Sequence, residues 1–382
     1  LLNSGISYAK EYGLRPGISL SAEQVAHLTS DIVWLESRNV VLPDGSSDTV
    51  LVPKVHLAHA GAGAVKAGGA LVTGEGVEIE TTEGGIVNRG GLIDGANGRT
   101  VLTSAGDLLN QGGAVRGNAL ELKAGGDIVN QTLSIKQEYG GSRPGSVISG
   151  SFTSLSNQAS IVATGALTLA AGRDVADTGG LIRAAGASVT AGRDIAFNTV
   201  QTGGSSEWKA SGFTGSSSGV NHQASQLNSS GDLTMKAGRD LALSGTQAAA
   251  GGKGVLEAGR ALSVAAVKNE SRLDVSNDAR SKTYDKAIVH DETVAGAAVS
   301  AGGDLSLKAG TKETGALSLV ASGVAGGGKV ELRATGDVAI TQLQEEHLLD
   351  LASHREWKST FKKGSSDSAD YSASSHVVGS SV

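Results

Sequence analysis

The chain has 382 residues, a formal net charge of −6 and no cysteine, which excludes disulfides and thiolate metal sites. Both signs of charge are interspersed without a Lys/Arg run, so there is no nucleic-acid or anionic-membrane footprint, and no apolar run approaches the ~20 residues of a membrane-spanning helix. Aromatic residues make up 3% and glycine 56 of 382, a composition poorly suited to the ring-filled core of a compact enzyme.

Residues 1–57 hold three of the four prolines. Asn3 to Tyr12 predicts a helix stopped by Gly13, and Ser21-Ala22-Glu23-Gln24 is a capping box opening a short helix to Leu28. Ile32–Glu36, Val40–Leu42 and Val50–Leu57 predict three strands, with Pro43-Asp44-Gly45 a turn between the last two. The segment is expected to be the end of a small mixed α/β domain. The chain begins Leu1-Leu2 with neither Met nor a signal peptide, and is expected to be an internal piece of something longer.

A repeat then takes over. Its clearest copy is Ala237-Gly238-Arg239-Asp240-Leu241. Near-copies end on Asp107, Asp127, Asp174, Asp194, Asp304 and Asp337, and Ala258-Gly259-Arg260-Ala261 is the same unit without the acid. Adjacent copies are 20 or 21 residues apart, as in 127 − 107 and 261 − 240. The residue after the Asp position is apolar throughout, and polar and apolar residues alternate before it, as in Leu120-Glu121-Leu122-Lys123-Ala124, which is the strand period. Each repeat therefore predicts strand, bend, strand, with Gly supplying φ > 0 and Asp bonding the backbone two residues on. A unit of this size cannot bury its own apolar face, so the units stack at ~4.8 Å per coil. The expected fold is all-β, a right-handed parallel β-helix with hairpin excursions. Arg173, Arg193 and Arg239 each precede an Asp and predict a mixed-charge ladder along the stack.

Two arrays are expected. The first spans 58–155, carries Asn-x-Gly-Gly at Asn88–Gly91 and Asn110–Gly113, and has a loop at 134–155. The second spans 156–345, with excursions at 201–226 and 268–293. In it the third position after Asp turns apolar, as at Phe197, Leu243, Leu307 and Ile340. Residues 346–382 read as a polar excursion or tail.

The motifs that suggest chemistry are weak. Gly323 to Lys329 matches seven positions of a phosphate loop, but Val330 offers no hydroxyl to Mg²⁺ and a strand follows instead of a helix. Gly215-Ser216-Ser217-Ser218-Gly219 spells a nucleophile elbow inside a Ser/Gly tract, with His222 near only in sequence. One Gly-x-Asp per 20 residues cannot build the calcium stack of nonapeptide repeats. His56 and His59 are three apart in a strand-to-loop passage without acidic companions, His347 and His354 are seven apart, and all four read as solvated surface histidines. Trp34 reads as core, whereas Trp208 and Trp357 lie in excursions, where a ring either anchors a partner or packs back on its own scaffold. No catalytic, cofactor-binding or metal residue is assigned, and no cofactor is expected.

With these residues placed, the chain resembles the filamentous-haemagglutinin and contact-dependent growth-inhibition exoproteins of two-partner secretion systems. The resemblance rests on Leu28-Thr29-Ser30-Asp31-Ile32-Val33-Trp34-Leu35-Glu36, Leu42-Pro43-Asp44-Gly45 and Val50-Leu51-Val52-Pro53, which look like the end of the Tyr/Pro-rich domain, and on two classes of coil that look like the two haemagglutinin repeat classes. It implies secretion through an outer-membrane partner, a filament on the surface of a Gram-negative cell, and contact with a target cell's surface or outer membrane. The expected function is a non-catalytic stalk and delivery segment used in adhesion or growth inhibition. The alternatives are a β-helix polysaccharide-degrading enzyme and an autotransporter-type adhesin passenger. A further expectation is that strands of the second array rearrange to line a pore in a target membrane.

Overall fold

The computed structural model describes Ala9, Arg15 and residues 32–41, 47–56, 70–210, 212–277 and 283–382. The chain divides into two units, Leu1–Gly69 and Ala70–Val382. In the first, Ile32–Val41 and Ser47–His56 form one antiparallel pair. Two of the expected strands are thus one, because Ser37-Arg38-Asn39 holds no Gly or Pro to interrupt it. Of the helix expected at 3–12 only Ala9 is described, and it is helical, while the helix expected at 21–28 lies outside the described residues.

The second unit is a parallel β-helix of nine coils. Coil 1 consists of Leu71–Thr73, Val77–Thr81 and Ile86–Arg89, and each later coil repeats that order in register, so the three strands fall into three parallel nine-stranded sheets. The expectation of two strands per coil is corrected to three. The extra strand, such as Leu92–Asp94 or Ala114–Gly117, is only three or four residues long, too short for its alternation to register as a period.

Inward positions alternate with outward ones, and the interior is aliphatic. Leu102, Leu122, Leu169, Val189, Met235 and Leu256 form one column of the second sheet, all at 1% exposure or less. A parallel sheet closed on itself in this way leaves each coil's apolar face buried by the coils above and below it. At the last coil the cover ends, and Val338 and Ile340 are 47% and 51% exposed.

Two details of the bend differ from expectation. Gly125, Gly172, Gly192, Gly238 and Gly259 are not at positive φ. Glycine is needed there because a Cβ would meet the carbonyl oxygen of the coil below at 2.0–2.2 Å. Within the stack, left-handed glycines sit at the corner between one coil and the next, at Gly90, Gly112, Gly179 and Gly245, and at Gly310 in an enlarged bend. Asp304 also belongs to a different bend. Leu305 pairs with Gly254 and Ala301 with Ala250, so Asp304 stacks with Asp232 and Lys253 between the first two strands, and Leu307 lies in the second sheet. The Asp240-type bend of this coil is instead enlarged by residues 310–316, which hides its register in the sequence.

Candidate functional site

Four hairpins leave the β-helix. They are Ser134–Arg143 with Ser146–Leu155, Val200–Ala210 with Phe213–Gln223, Val267–Asn277 with Thr283–Ala295, and Leu343–Lys358 with Lys363–Val378. Each follows the third strand of a coil, after coils 3, 5, 7 and 9. Two coils rise about 9.6 Å, and the two strands of a hairpin span the same ~9.6 Å. One wing strand therefore matches one coil, and successive hairpins zip into a single eight-stranded antiparallel sheet. This lateral wing is the largest feature the stack presents outward.

Ion pairs stitch both faces of the wing. Lys268 Nζ lies 2.6 Å from Glu292, Lys286 Nζ 2.5 Å from Asp350, and His290 Nε2 3.0 Å from Glu270. His347 Nδ1 lies 2.5 Å from Asp291, and its ring is 5.4 Å from that of His376. His354 Nδ1 lies 2.5 Å from Asp367, a hydrogen bond that raises its pKa. No group of three metal-ligating side chains occurs among the described residues.

The stack carries two ladders. In the first, Asp107, Asp127, Asp174, Asp194 and Asp240 each accept the backbone N–H of the equivalent residue one coil on. Asp107 Oδ1 takes the N–H of Asp127 at 2.9 Å, and Asp194 Oδ1 that of Asp240 at 3.1 Å. The acceptor role is thus between coils, not local to the bend. The mixed-charge ladder is present. Arg193 reaches Asp174, Arg239 reaches Asp194 and Arg260 reaches Asp240, each at 2.5 Å, and Arg173 bridges Asp107 and Asp127. The arginine hydrogen bonds hold the Asp174, Asp194 and Asp240 carboxyls below their usual range.

The second ladder is buried. Asn88 Nδ2 donates to Asn110 Oδ1 at 2.9 Å, Asn110 Nδ2 to Asn130 Oδ1 at 2.7 Å, and Asn130 Nδ2 to Asp177 Oδ1 at 2.5 Å. Burial pushes the Asp177 carboxyl up to about 6, against hydrogen bonds from Ser225, Asn130 and the Gly180 N–H that pull it down. Sequence reasoning found the Asn-x-Gly-Gly phrase but missed this column. Asp177-Thr178-Gly179-Gly180 is the same phrase with the acid in place of the amide, and was the available signal.

The weak motifs land in regular strands. Gly323–Gly326 pairs in parallel with Ala298–Ala301 and leads into the strand Val330–Ala334. Gly215 to Gly219 lies within the wing strand Phe213–Gln223, with Ser217 bonded to Ser206 and His222 Nδ1 to Thr199. His56 ends its strand, and His59 lies outside the described residues. Trp34 is buried. Trp208 and Trp357 pack on Gly215 and Gly364 of the facing strands.

The hemagglutinin repeat profile matches residues 203–280 and 279–381. Each match holds two coils flanked by wing strands, the unit derived above from strand spacing. Residues 203–381 belong to the hemagglutinin-repeat family, which supports kinship with the filamentous-haemagglutinin and contact-dependent growth-inhibition exoproteins. It is similar to a toxin CdiA of Yersinia pestis, 28% identical over 332 residues, covering 81% of this chain and 10% of that protein. It is also similar to a tRNA nuclease CdiA of Yersinia mollaretii (strain ATCC 43969 / DSM 18520 / CIP 103324 / CNY 7263 / WAIP 204), 38% identical over 79 residues, 21% of this chain and 2% of that protein. The chain thus spans a tenth or less of these curated relatives. No solved structure matches it.

Proposed function

We propose that these repeats are a non-catalytic stalk of a secreted surface exoprotein, which holds a distal receptor-binding or toxic part away from the producing cell and carries it to a neighbour. The observation that carries the reading is the aliphatic spine shared by nine coils. It makes a continuous rod about 43 Å long from coils rising ~4.8 Å each. Two relatives are named as a toxin and a tRNA nuclease, and the repeats match only a small fraction of their length, which favours a carrier role for this part. The partners in this reading are an outer-membrane transporter of a two-partner system on the producing side and the envelope of a Gram-negative target cell on the other. A chain without cysteine is suited to export unfolded, and coils that contact only their neighbours can fold one after another as they emerge.

The test is an in-frame deletion of residues 226–295 in the parent gene, assayed by contact-dependent competition and by adhesion. Delivery is expected to fall while the activity of any attached effector, assayed separately, is unchanged. Cleavage of pectin or another acidic glycan by the purified chain would overturn the non-catalytic reading.

A further inference from the structure

On one face of the wing two adjacent rows are apolar or small across seven of its eight strands, bounded by Asp291–His347 towards the root, Asp285–Arg355 towards the tip and Asp370 on the last strand. Residues directly paired across antiparallel strands share a face. One row of paired residues runs Trp208, Gly215, Val275, Ala287, Leu351. The row two residues nearer the root runs Ser217, Leu273, Val289, Leu349. The row between them points to the opposite face and carries Glu207, Asp274 and Asp350. None of the side chains in the two apolar rows is buried.

The face is also unusually flat. A Cβ at Gly215 would lie 2.5 Å from ring carbons of Trp208, and one at Gly150 would lie 2.7 Å from the ring of Tyr139. Both rings therefore lie across a glycine on the facing strand instead of standing up from the sheet. Such low relief suits the ~10 Å approach of two packed sheets.

We infer that this face packs on the same face of a second copy of the chain, as an isologous two-sheet sandwich. The occupant must present a flat apolar strip of equal extent, and the chain carries one. The rows from Tyr139 to Leu351 span about 30 Å across seven strands and about 15 Å along them, which gives on the order of 600 Å² per wing with side-chain margins. Two wings then bury about 1,200 Å², the lower bound for a stable specific interface. A two-fold arrangement sets each row against its own copy and leaves outward the face that carries Lys268–Glu292, Lys286–Asp350 and His290–Glu270.

Sedimentation velocity of the 382-residue chain should show a reversible dimer. Val289→Lys and Leu349→Lys, on the apolar face, should each weaken association by more than about tenfold, and Ile288→Lys, on the other face, should not. Because the chain has no cysteine, Val289→Cys should cross-link two copies through a short bis-maleimide, and Ile288→Cys should not. A wild-type chain that stays monomeric overturns the inference. So does flotation of that monomer with phosphatidylethanolamine–phosphatidylglycerol vesicles, which would assign the face to lipid, and so does equal cross-linking of the two cysteine variants.

Discussion

Asp177 closes the buried amide column by accepting from Asn130, Nδ2 to Oδ1, at 2.5 Å. Every donor in the column points the same way, so its last member must be an acceptor, and the next inward residue at this position is Phe197. Burial dominates the acid's titration and raises its pKa to about 6. The raised folded value means that this group's stabilising contribution is complete below its unfolded pKa of about 4 and is lost as pH rises through about 6. Stability is therefore expected to fall by up to about 3 kcal/mol across that window, a two-unit shift at 1.36 kcal/mol per unit. Asp177→Asn should flatten the slope between pH 4 and 6 in urea unfolding followed by circular dichroism.

The ladder of surface aspartates has the opposite sign. Asp174, Asp194 and Asp240 are held below their ordinary pKa by arginine hydrogen bonds, so the stability they add is present above the unfolded value and is lost as pH falls below it. Asp194 serves both Arg239 and the Asp240 N–H. Asp194→Ala is expected to cost about 1 kcal/mol, the charged hydrogen-bond value reduced for solvent exposure. Arg239→Ala, which leaves the amide bond in place, should cost measurably less. Urea midpoints of the two variants at neutral pH give the comparison. Equal losses would mean that the ion pair, not the amide, is what matters.

Position within the buried column should set the cost of removing an amide. Asn110 is fully buried and is bonded on both sides. Asn110→Leu leaves Asn88 without its acceptor and Asn130 without its donor, so about 2–5 kcal/mol is expected. Asn88 stands at the end, with one ladder neighbour, and Asn88→Leu should cost about half as much. Phe197, at full burial where the column turns apolar, should lose about 3–5 kcal/mol as Phe197→Ala. Denaturant unfolding of the three variants orders the effects.

Because one wing strand matches one coil, deletions should be tolerated only in pairs of coils. Removing residues 226–295 takes out two coils and one hairpin and leaves Phe213–Gln223 facing Leu343–Lys358 in antiparallel sense. Removing residues 247–266 alone takes out one coil and puts the later hairpins about 4.8 Å out of step. The first variant is expected to keep a cooperative unfolding transition and resistance to protease. The second should become protease-sensitive within residues 267–295.

The stacked coils were legible because small aliphatics recur at fixed distances from Gly-x-Asp, and columns such as Leu102–Leu122–Leu169 need only that periodicity. The short first strands were not, since Leu92–Asp94 offers two alternations at most. Asp304 misled because Ala301-Gly302-Gly303-Asp304 copies the letters of one bend at the place of another. The repeat aspartates were visible, yet their amide partners lie 20 to 47 residues away, beyond any local turn rule. The merging of four hairpins into one sheet depends on the number of coils between them, which the polar composition of the excursions does not encode.

The left-handed corner glycines point to how such stalks change length over generations. Gly90, Gly112, Gly179 and Gly245 sit where one turn of the chain hands over to the next, and each corner presents the same backbone geometry to whatever follows. Unequal recombination between two such corners yields another acceptable junction, provided that the exchanged stretch carries its own hairpin. Reach would then evolve in steps of about 10 Å, two coils at a time, and lineages could differ in how far they extend from the cell while sharing the same cross-section.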